Sequence, residues 1–144
     1  MLMLERGFYV YMMAQPTITA IIGNRLYPES APQSATFPYM VYSRANVDSH
    51  YMFLGPSATL TTSLVLECYE LSKSPMGVKR LAYACRQVLD GFVGFWDEVE
   101  IDGVFILDEE DGREAPKDGS DQMVYSVALM LDIWHARETS LFLS

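Results

Sequence analysis

The chain has 144 residues, half of them apolar, and sets 10 Lys plus Arg against 19 Asp plus Glu for a net charge of −9 and a pI near 4.5. A chain this long buries about two thirds of its unfolded surface, which supports one domain over residues 1–144 without disulfide or metal. Phosphate binding needs the opposite charge, and no five-residue window holds more than two basic residues, so a sequence-reading nucleic-acid module is excluded.

No apolar run reaches the roughly 18 to 20 residues of a membrane helix. The apolar start, Met1 to Ala14, carries Glu5 and Arg6 and no basic leader, which does not fit a secretory signal. The expected setting is a reducing cytoplasm, with Cys68 and Cys85 as free thiols buried as small hydrophobes.

In chain order, Leu4, Phe8, Tyr11 and Met12 form the stripe of an amphipathic helix over Leu4–Ala14, which Pro16 ends. A short helix over Thr17–Ile22 follows, with Gly23 as its cap. Pro28, Pro32 and Pro38 make Asn24–Pro38 an extended connection. Tyr39–Val47 alternates as a strand, Asp48–Thr59 with Gly55 and Pro56 breaks the pattern, and Leu60–Leu71 resumes it. Ser74 before Pro75 signals a helix start, and Val78, Leu81, Ala82, Cys85, Val88, Leu89 and Phe92 carry one apolar stripe from Pro75 to Phe92.

Val104–Glu109 reads as a short strand apolar on both faces, and Met123–His135 as a strand of unbroken alternation. Asp108–Asp121 between them reads as a polar loop, and residues 136–144 as a tail whose Leu141 and Phe142 dock on a neighbour. Two amphipathic helices must each bury a face, so the expected fold is α+β, an antiparallel sheet of four strands or slightly more with helices packed on one face.

Eleven of the nineteen carboxylates fall between Asp97 and Asp121. An EF-hand alignment on Gly112 puts Leu107 at the first ligand position, so no metal is assigned and the segment reads as a solvated acidic loop. His50 and His135 have no Ser, Cys or carboxylate at a spacing that recurs in nucleophile motifs, and no phosphate-loop, dinucleotide, nucleophile-elbow or zinc motif occurs. No catalytic residue and no cofactor is assigned. Nine tyrosines and nine methionines without a basic groove suit a core and an adaptable protein–protein surface better than base stacking.

Ile21-Ile22-Gly23-Asn24-Arg25-Leu26-Tyr27-Pro28, then Ala31-Pro32-Gln33, then Phe37-Pro38-Tyr39-Met40-Val41-Tyr42-Ser43 resembles the opening of the tail completion, or tail terminator, family of long-tailed bacteriophages. The resemblance runs from Phe8 to the aromatic stretch Asp132-Ile133-Trp134 and departs at Asp48–Thr59 and in the acidic segment after Asp108. It implies a structural virion protein of the tail and neck, assembled in the host cytoplasm. The implied form is a homo-oligomeric, hexameric ring on the head-proximal end of the tail tube. Its implied partners are the major tail tube protein and a head-completion or neck protein, with no membrane contact.

DNA would pass through such a ring without specific binding, as its charge permits. Gly23, Arg25, Tyr27, Pro28, Pro32, Pro38 and Tyr39 are the matching positions, with Arg25 as an intersubunit or intrachain salt-bridge partner. The acidic loop Asp108–Asp121 is expected to face the lumen or an adjoining ring, with Asp108, Glu109, Glu110, Asp111 and Glu114 as its binding residues. A head-closure ring, a small metal-dependent hydrolase and a dimeric α+β ligand-binding module stand as alternatives.

Overall fold

The computed structural model describes residues 3–52, 55–116 and 121–136. Its elements run α1 (Met3–Met13), α2 (Pro16–Ile22), β1 (Leu26–Pro28), β2 (Tyr39–Met52), β3 (Gly55–Ser72), α3 (Met76–Leu89), β4 (Gly94–Trp96), β5 (Val99–Glu114) and β6 (Met123–Ala136). The strands form one sheet in the order β1-β2-β3-β6-β5-β4. The fold is therefore α+β with the helices on one face, as expected, but the sheet has six strands and is mixed. β1 runs parallel to β2, and every other pair is antiparallel.

The pleat sorts side chains without ambiguity. Met40 and Tyr42 of β2, Leu64, Leu66 and Cys68 of β3, and Val127, Leu129, Leu131 and Ile133 of β6 lie opposite one another and are all buried. Against this face pack Leu4, Phe8 and Met12 of α1, Ile18 and Ile22 of α2, and Val78, Leu81, Cys85 and Leu89 of α3. Trp96, fully buried, closes the core's edge with Phe8 at 5.5 Å, Tyr11 at 5.4 Å and Phe92 at 5.7 Å between ring centroids. The Tyr11 hydroxyl donates to the Val88 carbonyl and so ties α1 to α3. Cys68 and Cys85 are free and buried. The hydrogen bond that the Cys68 thiol donates to Cys85, and then burial, push that thiol well above its ordinary range.

Several boundaries differ from the sequence reading. β1 and β4, three residues each, escaped it because so short a segment shows no alternation, and pairing with a long neighbour is what makes them strands. β2 and β3 run through much of the expected break at Asp48–Thr59 and leave only residues 53 and 54 between them. There the strands overrun the core. Val47, Asp48 and Ser49 are exposed, so nothing selects for alternation. Pro56 is tolerated because it stands at a strand end.

β5 starts at Val99 rather than Val104 and continues to Glu114, so the acidic segment is a strand over most of its length rather than a loop. α3 ends at Leu89, three residues before Phe92, because Asp90 turns extended and Gly91 takes φ +77°. The expected tail lies outside the described residues apart from Ala136, which ends β6. Among the described residues no helix is long and apolar enough to cross a membrane.

Candidate functional site

Helices cover one sheet face and leave the other open. The open face carries Tyr39, Val41 and Ser43 of β2, Val65, Glu67 and Tyr69 of β3, Ala128, Met130 and Asp132 of β6, and Phe105, Asp108, Glu110 and Glu114 of β5. Most are half-buried by their neighbours. Polar groups there are paired in place: Ser63 Oγ donates to Asp132 Oδ1 at 2.8 Å and Tyr69 Oη to Glu67 Oε2 at 2.6 Å. Tyr39 stacks on Tyr69 at 5.2 Å and is flanked by Phe37 at 5.1 Å and Tyr27 at 6.1 Å. Burial first, and then the hydrogen bond to Glu67, raise the Tyr69 hydroxyl above the usual phenol range, so the phenol keeps the proton it donates to Glu67.

The pleat divides the five β5 acids expected to bind. Asp108, Glu110 and Glu114 point to the open side. Glu109 and Asp111 point to the helix side, where Arg86 meets Glu109 at 3.0 Å and Lys79 meets Asp111 at 3.9 Å. These are exposed pairs that contribute on the order of 0–1 kcal/mol each, and α3 is held on the sheet by its buried apolar stripe. The outer edge of β5 pairs with β4 only over Val99–Ile101. Further on, Gly91 N–H donates to Val104 O at 2.8 Å and Ile106 N–H to Asp90 Oδ1 at 3.4 Å. From there to Glu114 the edge carries mostly charged side chains, which is how soluble sheets discourage indiscriminate strand pairing.

Arg25 does not meet a carboxylate among the described residues. Its guanidinium donates to Pro38 O at 2.9 Å and Ile21 O at 3.3 Å, stapling the start of β2 to the end of α2. The motif of Gly23, Arg25 and the prolines thus sets the chain path, and Gly23 adopts φ +60° where α2 stops. His50 lies in β2, while buried His135 shares a 2.7 Å hydrogen bond with Thr62 Oγ1 and a 2.8 Å bond with Ala136 O. Among the described residues no three His, Cys, Asp or Glu side chains gather as metal ligands would.

Two features escaped the sequence reading. Phe105 and Leu107, 50% and 64% exposed, stand on β5, with Leu107 in a bulge between Ile106 and Asp108. The signal was there, since a strand apolar on both faces yet charged beyond them has a side the core does not need. The second is a cavity of about 290 Å³ between α3 and the far ends of β5 and β6, lined by Pro75, Val78 and Tyr125 with Lys79 and Arg113 among the polar groups. Near the same helix start sits the Glu70 carboxylate, whose pKa burial raises against the opposing influence of Arg80.

A raised folded-state carboxyl pKa penalises the native state once the group ionises, so stability falls as pH rises through that range. Glu70→Gln is therefore expected to unfold at higher temperature than the parent at pH 7. Acidification should close the gap. Thermal melts from pH 7 to pH 4 check this, and an equal gap at both ends would contradict it.

The chain is thus an α+β domain whose single sheet has one helix-covered face and one open face. Residues 9–135 match the family model described as tail completion protein gp17. The chain belongs to that family of bacteriophage tail proteins, and is a structural protein of the virion's tail and neck region. Its fold is similar to that of a chain in the virion of a native gene transfer agent particle, with a TM-score of 0.74, 14% identity, and coverage of 94% of this chain and 95% of that chain. No curated protein matches.

Proposed function

We propose that copies of this chain close into a ring, six per turn, that caps the head-proximal end of the tail tube and presents the surface to which the neck of the filled head joins. Membership in the tail completion family over residues 9–135 is the observation that carries this reading. The physics agrees. A terminator must match the tube on one ring face and fail to match another tube ring on the other, because two equivalent faces would continue the polymer. A subunit with one closed and one open sheet face has the asymmetry this requires.

The role is geometric, with no bond made or broken, and each subunit acts as one domain. At −9 per chain the ring repels phosphate, so genome passes without being gripped. The acidic run is split by the pleat, and its open-side carboxylates Asp108, Glu110 and Glu114 face the lumen, an adjoining ring or a neighbouring copy, while Arg25 acts within the subunit. Virions lacking the gene are expected to carry tails of irregular length, or tails unattached to capsids, by negative-stain microscopy. Uniform, properly joined tails in that mutant would overturn the reading. Replacing Asp108–Asp111 with amides tests the acidic run separately, and normal assembly and DNA delivery would remove it from the proposal.

A further inference from the structure

The geometry points to how neighbouring copies hold one another: we propose that the β5 bulge of one copy, Phe105–Leu107, seats in the cavity beside α3 of the next. This rests on the ring reading above and names the contact within it. The two surfaces are matched in chemistry, apolar to apolar and acid to base. The projecting side is apolar and exposed at Phe105 and Leu107 and is followed by Asp108 and Glu110, which form no ion pair among the described residues. The receiving side is a cavity of about 290 Å³ whose apolar lining includes Pro75, Val78 and Tyr125. Lys79, Asp111 and Arg113 also line it; Lys79 and Asp111 pair with each other at 3.9 Å, which leaves Arg113, in no ion pair among the described residues, as the cation that an incoming carboxylate meets.

A chain cannot fill its own cavity this way. Lys79 lies beside Asp111, whereas Asp90, at the far end of α3, bonds to Ile106 next to the bulge. The eleven residue steps from Lys79 to Asp90 separate cavity and bulge by about 16 Å. Phe105 moreover points to the open face, opposite the helix side that holds the cavity. A contact joining two different surfaces is heterologous and closes into a ring when its rotation permits. Glu114, nearer the hairpin end, stays outside the contact.

The test mixes two single-cysteine variants, Leu107→Cys and Lys79→Cys, under mild oxidation, with and without purified tails. Products are read by mass. Cys68 and Cys85 are buried and give little background. The expected result is a shift from one chain mass to two in the mixture and none in either variant alone, because a disulfide needs Cβ atoms within about 4.5 Å. Arg113→Cys in place of Lys79→Cys should give the same product. Thermal melts confirm that each variant folds, as expected for exposed positions.

Dimers from Leu107→Cys alone would mean a symmetric contact and overturn the proposal. So would wild-type rings on tails combined with no cross-link in either mixture, which would leave the ring reading standing. A wild-type chain that native mass spectrometry finds monomeric with and without tails overturns both.

Discussion

Trp96→Ala should lower the unfolding free energy by about 3–5 kcal/mol, and the midpoint of thermal unfolding by roughly 10 °C or more. Trp96 is fully buried and is the point where α1, the segment after α3, and the β4–β5 pair meet, through ring contacts to Phe8, Tyr11 and Phe92. Removing the indole opens a void that three aromatic neighbours on different elements cannot all relax to fill. Trp96→Phe should cost less than half as much. It keeps most of the ring surface and removes an indole N–H that has no hydrogen-bond partner among the described residues, a group that is itself destabilising when buried. Circular dichroism melts of both variants decide the matter, and equal losses would show that the void matters less than this packing implies.

The second large effect separates two glycines that the helical pattern treats alike. At Gly7, in α1, a Cβ would stand 2.5 Å from the backbone oxygen of Trp96, and backbone cannot swing away. At Gly77, in α3, a Cβ would meet the Glu70 carboxylate, the free end of a flexible side chain that can turn toward solvent. Both substitutions to Ala gain helix propensity of up to about 1 kcal/mol. For Gly7→Ala, forcing α1 away from β4 costs typically 1–3 kcal/mol and should leave the variant less stable than the parent. Gly77→Ala should be neutral or stabilising. Denaturant midpoints measure both, and a stabilised Gly7→Ala would mean that α1 packs less tightly on β4 than the contact indicates.

These cases mark where local reading stops. The pattern at Val78, Leu81, Ala82, Cys85 and Leu89 was sufficient to place α3 and its buried face, because one amphipathic helix carries its own period. The unbroken alternation of β6 likewise identified its core face, confirmed by the burial of Val127, Leu129, Leu131 and Ile133. The acidic end of β5 misled in the opposite way. Charged residues at successive positions look like a loop, but an edge strand past the core has both sides wet, and strand pairing with β6 rather than alternation holds it extended.

Of the candidate site, sequence supplied the acids and the motif around Arg25 but not their directions. Composition, short-range periodicity and motif were enough for the charge, the helices, the two strand pairs flanking α3 and the family resemblance. Which β5 acids share a face, that Arg25 binds carbonyls, that β1 and β4 exist, and that an apolar bulge and a cavity beside α3 lie apart on one subunit emerge from the folded chain alone. Each of those depends on pairing between residues far apart in the chain, whose register no local pattern encodes.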